Sequence, residues 1–323
     1  MKLDPFCAEQ GGSGEPCAPS FLEILCDRGF RWLTFAAGGI VISLGLYIIF
    51  EIGSAAVPAM KDNGLGFFVS TTWDVARNEF GILAEIWGTL YSSLLALLLG
   101  GFFGVSIAIF FTQGYLNHRV AQVFRSIIQL LAAIPSVVYG LWGIYVVIPA
   151  LRPVASWLNE HFGFIPFFGT KLSGPGLAPA VIVLAIMILP TVAAISQDAF
   201  KQIPYKVKEA AYGMGTTRRE AIMLVMLPTA ANGIMGALVL GFGRALGETM
   251  ALAMLIGNAN QISLSLFSPA KTLASLLASN FPEAGAVEVS ALMYAAVALL
   301  IITVGVNALG AFIMSRSKRQ EAI

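Results

Sequence analysis

Arg244 and Glu248 stand four residues apart inside a long apolar stretch covering 229–257. A guanidinium near the centre of a membrane span costs roughly 2.5–3.5 kcal/mol on insertion scales unless a partner or water compensates it, which makes a solute pathway the leading explanation. On a continuous helix this spacing puts both side chains on one face, with Cβ atoms about 5–6 Å apart. Base-before-acid is the poorer order for stabilising a helix, so the pair has something else to do. A guanidinium fork binds an oxyanion bidentately, and a neighbouring carboxylate neutralises it when the site is empty and accepts from a protonated substrate oxygen. Phosphate, which keeps protons near neutral pH, suits such a site. A structural ion pair tying two spans together is the competing reading.

A second constellation precedes that stretch. Glu209-Ala210-Ala211 is followed after three residues by Gly215, and after nine more by Val225, Met226, Leu227 and Pro228. Lys206 to Ala211 favours helix, Gly213 and Gly215 break it, and Arg218 to Leu227 reads as a second amphipathic piece stopped by Pro228. The low ridge of Ala210 and Ala211, rimmed by Lys206, Lys208, Arg218 and Arg219, suits close approach by another protein. A solvated interfacial hairpin accounts for the basic residues but not for the spacing.

The elements that must carry these residues are membrane helices. Of 323 residues 57% are hydrophobic and 11% charged, with mean hydropathy +0.81, the composition of an all-α integral membrane protein. Apolar stretches at 32–52, 86–112, 126–149, 178–198, 229–257 and 289–314 each meet the roughly 20 residues needed to cross hydrocarbon, giving six transmembrane helices. Thirteen Lys and Arg fall on the N-terminal side and five on the other, so both termini are expected in the cytoplasm. A net charge of +1 leaves no footprint for nucleic acid. The expected division is a cytoplasmic tail at 1–30, a first helix and outer loop at 31–85, a core at 86–314 with the cytoplasmic loop at 199–228, and a tail at 315–323.

Smaller signals follow. Arg28 and Arg31 before the first span imitate a secretory leader, but its apolar core exceeds the usual 7–15 residues, so it is expected to stay. Cys7, Cys17 and Cys26 match no metal spacing and read as reduced thiols. Pro135 is expected to kink the third span, a break of the kind that lines solute cavities, which makes Ser136 and Tyr139 candidate contacts; bending for packing explains it as well. Pro190 invites the same reading in the fourth span. His118 and His161 fall in predicted loops on opposite sides, far from each other and from any acidic cluster, and read as solvated loop residues. Gly243 and Gly247 are expected to pack helices rather than form a dinucleotide fingerprint. The 152–177 connection, with Trp157, Phe162, Phe164, Phe167 and Phe168, reads as an outer interfacial loop.

The spacing from Glu209 to Pro228 resembles the EAA loop of ABC importer permeases, departing only at Val225. The words Gln129-Leu-Leu-Ala-Ala-Ile-Pro-Ser-Val-Val-Tyr-Gly-Leu-Trp-Gly143 and Gly241-Phe-Gly-Arg-Ala-Leu-Gly-Glu-Thr-Met-Ala251 are similar to the PstC-type permeases of bacterial phosphate importers, from about Trp87 to Met314. The resemblance implies the type I ABC importer permease fold in the bacterial inner membrane. It implies that Arg244, Glu248 and Thr249 line the path. It makes Glu209, Ala210, Ala211, Gly215, Leu227 and Pro228 the element coupled to a separate ATPase. The implied partners are a sister permease (PstA type), an ATPase dimer (PstB type), an external phosphate-binding protein (PstS type), inorganic phosphate and membrane lipid. No cofactor is expected on this chain. It has no G-x-x-x-x-G-K-[ST] loop, so ATP and Mg belong to the ATPase. Two alternatives stay open: a permease for sulfate or molybdate, and a proton-coupled carrier using Glu248.

Overall fold

The computed structural model describes residues 21–115 and 117–320. Among them six helices are long and apolar enough to cross a membrane: Ile24–Phe68, Leu83–Thr112, Ser136–Phe162, Leu177–Lys201, Arg218–Leu246 and Ala286–Arg316. The chain divides into two units, residues 1–54 and 55–323. The first holds most of helix α1 (Phe21–Asn63), whose apolar side chains from Ile24 to Phe50 are exposed, as suits a helix facing lipid. Most of the expected N-terminal tail, with Cys7 and Cys17, lies outside the described residues; Cys26 is an exposed free thiol on α1.

The second unit is built around α2 (Leu83–Thr112), α6 (Leu177–Lys201) and α9 (Leu227–Leu246). Lipid tails are as apolar as leucine, so helices in a bilayer gain by close van der Waals approach, and small residues permit it. Gly100 of α2 lies against the Ala185 carbonyl and Ile188 of α6, and Gly104 lies against Val192. Gly241 of α9 meets Val192 from the other side, while Gly243 faces Asn307 of α12 (Ala286–Gln320). The close packing expected of Gly243 and Gly247 is therefore made by Gly241 and Gly243. Gly247 touches only its own preceding turn.

Two spans differ from their sequence-based positions. The third runs over Ser136–Phe162 rather than 126–149. Proline disfavours helical geometry at the residue before it, and Ile134 is extended (φ −71°, ψ 127°), so the chain breaks there instead of kinking. Residues 118–133 become a separate amphipathic helix, α3 (His118–Ala133). The span is then α4 (Ser136–Trp142), a wider-wound turn at Gly143–Val147 and α5 (Ile148–Phe162), which takes in Trp157 and Phe162 from the expected loop.

The fifth span starts at Arg218 and ends at Leu246 rather than covering 229–257. Pro228 does not stop the helix: the wider turns at Ala221–Met226 lead directly into α9 and take up the missing N–H inside the span. The second half of the expected 199–228 loop is thus the beginning of this span. At its other end the chain leaves helical geometry over 247–249 and resumes as α10 (Met250–Leu255).

Beyond α10, Gly257 (φ +94°) and Asn258 (φ 49°) turn the chain sharply beneath Pro269 and the Pro175 carbonyl. The return segment crosses the start of α2 so closely that a Cβ at Gly88 would collide with the Lys271 carbonyl. It ends in α11 (Leu273–Asn280), capped by Thr272 and Ser275. Enclosed there are Glu85, 0% exposed with neither carboxylate oxygen hydrogen-bonded, and Lys271, 7% exposed with its Nζ donating to Asn280 Oδ1 at 3.1 Å. Asn280 Nδ2 and Trp73 Nε1 both donate to Glu288 Oε1, at 3.1 and 3.2 Å. Burial lowers the Lys271 pKa below the usual lysine range, against the pull of the Glu85 and Glu288 carboxylates.

Candidate functional site

The pathway residues collect beside α6 where the chain breaks twice, at Pro135 and after α9. Arg244 occupies the last turn of α9 and is exposed on the subunit surface. Its Nη1 donates to Thr191 Oγ1 of α6 at 3.3 Å. Glu248 is half-buried in the non-helical step after α9, where its Oε1 accepts the Ala251 N–H at 3.4 Å and caps α10. The helix end separates the two, so the one-face geometry that a continuous helix imposes does not hold. Among the described residues the ion pairs are Arg77–Asp74 and Lys201–Asp198; none joins Arg244 to Glu248. The structural ion-pair reading loses its pair. Thr249, half-buried, begins α10.

Tyr139 and Ser136 come to this place from α4, which packs on α10. Gly140 lies directly against Ala251 and Met254, with no room for a side chain. Tyr139 is buried, within electrostatic reach of Arg244, and its hydroxyl donates to the Leu131 carbonyl at 2.8 Å. That carbonyl loses its regular helical partner at the Pro135 break, so Tyr139 holds the break in shape. Ser136 stays half-buried at the first turn of α4. Thr191, absent from the sequence-based reading, joins the site because it fixes the guanidinium. A threonine in an apolar run is too common a residue to announce such a role.

The loop site keeps its expected first half. α7 (Tyr205–Gly213) ends in a turn at Gly215, whose φ of +81° suits glycine, and the chain re-enters helix at α8 (Arg218–Glu220). There Thr217 Oγ1 accepts the Glu220 N–H, and Glu220 Oε2 accepts the Thr217 N–H at 2.8 Å, a reciprocal cap. Ala211 is the anchor, buried with Ala108 of α2, Phe200 of α6 and Ala221, Ile222 and Met226 of the following segment. Glu209, Ala210 and Pro228 are exposed and Leu227 half-buried. The hairpin is thus fixed to three spans on one side and free on the other.

The free side carries large apolar groups that the spacing did not single out: Met214 is 86% exposed, Tyr205 73% and Tyr212 45%. Exposed methionine and aromatic side chains rimmed by charge are the composition of a docking patch. Arg218, expected in the rim, instead stacks on Tyr115 at 4.0 Å from the ring centroid, binding the hairpin to the turn after α2.

Phosphate transport system permease proteins PstC from Xylella fastidiosa and Mesorhizobium japonicum are both 37% identical to this chain, over 91% of it and 92% of the former, and over 90% of it and 91% of the latter. A solved bacterial ABC transporter involved in the import of the acidic polysaccharide alginate aligns with TM-score 0.62 at 16% identity, covering 91% of this chain and 98% of that one. The inward-facing MetNI methionine ABC transporter aligns with TM-score 0.54 at 19% identity, over 73% and 95%. At those identities the likeness establishes the fold alone, the type I ABC importer permease fold; the family and the relatives, with the six apolar helices, make it a multi-pass inner membrane protein. Residues 100–319 match the binding-protein-dependent transport system inner membrane component family, and the chain belongs to that family.

Proposed function

We propose that this chain is the transmembrane subunit of an ATP-driven importer of inorganic phosphate and forms half of the pathway. The name carried by the relatives at 37% identity supports the solute. The observation that carries the reading is Arg244, a guanidinium at an interrupted helix end, anchored on one edge by Thr191 and otherwise open on an apolar surface. An exposed cation on a membrane subunit needs either water or a second subunit opposite it. A sister permease supplies the other wall, so the solute passes between the two. Arg244 offers its remaining fork to a phosphate oxygen pair, and Glu248 and Thr249 take the protonated oxygen; Tyr139 positions α4 beside them, with Ser136 at its first turn.

The hairpin around Glu209, Ala210, Ala211 and Gly215 couples to the ATPase. Its exposed Tyr205, Tyr212 and Met214 insert into a groove of that subunit, and Leu227 and Pro228 pass the movement into α9. This puts 199–217 and both termini in the cytoplasm, while Glu85, Lys271 and the 256–272 segment face the external binding protein. ATP and Mg are bound by the partner dimer; this chain holds no cofactor.

The test is uptake by the purified complex in liposomes with ATP inside and the binding protein outside, offered phosphate, sulfate or molybdate. Phosphate alone is expected to accumulate. Preference for sulfate or molybdate overturns the solute, and phosphate uptake by the isolated chain on a proton gradient overturns the ATP coupling in favour of a Glu248 carrier.

A further inference from the structure

A cleft of about 370 Å³ opens between α3 and α6, and nothing so far gives it a role. Its polar lining is Arg125, Gln129, Thr191, Gln197, Asp198 and Lys201. Thr191 belongs to both places: its hydroxyl accepts from Arg244, and it borders the cleft. The cleft thus begins where the Arg244 site ends. Its far edge is Lys201, the last residue of α6 before the coupling hairpin.

Charge singles out one residue. Lys201 Nζ lies 2.8 Å from Asp198 Oδ1, so those two largely neutralise each other. Arg125 is left as the uncompensated cation of the lining. Its Nη2 donates to the Phe111 carbonyl at 3.1 Å, which ties one edge of the group to α2, and its Nε is enclosed, so the outer guanidinium edge is the one that lines the cleft. A guanidinium tied by one edge with donors to spare is pre-organised for a tetrahedral oxyanion. Gln129 lies one helical turn further along the same face of α3, and Gln197 is buried on the opposite wall, so amide donors flank the cation. A water molecule occupies about 30 Å³ of liquid, so the cleft has room for an oxyanion and part of its hydration shell.

We propose that this cleft is a second anion station, in which Arg125, helped by Gln129 and Gln197, receives phosphate from Arg244 and holds it weakly before release on the hairpin side. One compensable cation is the right strength for the task, because conduction requires sites that bind well enough to accept the ion and weakly enough to let it go. The inference rests on the reading that the solute is phosphate.

The experiment measures binding of radiolabelled inorganic phosphate to the whole nucleotide-free complex in nanodiscs, without the external binding protein. Weak binding is expected to survive Arg244→Gln and to be lost when Arg125→Gln is added. Since Arg125→Gln also removes the Phe111 bond, Gln129 supplies an independent pair of variants on an exposed helix surface. Gln129→Glu is expected to weaken binding about tenfold, as for loss of one charge-assisted contact, and Gln129→Lys to strengthen it severalfold. Identical affinity for parent, Gln129→Glu and Gln129→Lys, with all binding lost in Arg244→Gln alone, overturns the second station and leaves the importer reading intact. Failure of the parent to take up phosphate in the liposome assay overturns the reading beneath it.

Discussion

Arg244 uses one edge of its guanidinium on Thr191 and leaves the other free, and this division sets what substitutions there should do. Arg244→Lys keeps the charge but loses the planar fork, while Arg244→Gln loses both. Charged hydrogen bonds contribute about 1.5–3 kcal/mol, so Arg244→Gln should lower phosphate uptake by at least about tenfold, with Arg244→Lys in between. Assembly, read by co-purification of the complex, should be unchanged, because Arg244 makes no ion pair among the described residues. Loss of assembly together with uptake would make the residue scaffolding. Arg244 and Glu248 were legible in the sequence because a charge in an apolar stretch has few explanations. Their separation by a helix end was not, since Gly247 and Thr249 are both tolerated inside membrane helices and only packing around α10 decides that the helix stops.

The same division between what composition shows and what packing decides runs through the helices. The number of spans was readable from apolar length, and the hairpin's first half from Gly213 and Gly215. The third and fifth spans shifted because prolines act through neighbours: Pro135 ends α3 by driving Ile134 out of helical geometry, whereas Pro228 is accommodated by the wider turns at Ala221–Met226. Gly215 gives the clearest test among these elements. Its φ is +81° and no atom lies near where a Cβ would go, so substitution meets backbone strain alone. Gly215→Asn, which tolerates left-handed geometry, should preserve ATPase stimulation by the loaded binding protein, and Gly215→Val should reduce it severalfold with the transmembrane region still folded. Equal activity of the two variants would show that the turn does not transmit force. Arg218→Leu should give a similar loss through a different contact, by releasing the hairpin from Tyr115, where a cation–π contact contributes about 0.5–1 kcal/mol at an exposed site.

The two ends of the 55–323 unit are built on different principles, and that contrast bears on how it moves. On the hairpin side the loop is anchored by apolar contacts alone, through Ala108 of α2, Phe200 of α6, Ala211, and Ala221, Ile222 and Met226 at the start of the fifth span. Such contacts are non-directional. At the opposite end the start of α2, the segment before α11 and the start of α12 meet through enclosed charges and directional bonds: Glu85, Lys271, Asn280, Glu288 and Trp73. Removing a hydrogen-bonded member of this group leaves an enclosed polar partner unsatisfied, which costs about 1–3 kcal/mol and more where the partner is charged. This end is therefore expected to be the fixed one, about which the hairpin side swings. Lys271→Met removes an enclosed cation that the Glu85 and Glu288 carboxylates attract, together with its Asn280 bond, and should lower the melting temperature of the purified complex markedly. Glu85→Gln removes a carboxylate that has no hydrogen-bond partner, so the melting temperature of that variant should be unchanged within error. The double variant Lys271→Met with Glu85→Gln should recover part of the loss, since the cation and one anion leave together. A double variant no more stable than Lys271→Met would show that Lys271 acts through its Asn280 bond alone, and that the charges at this end do not form one coupled group.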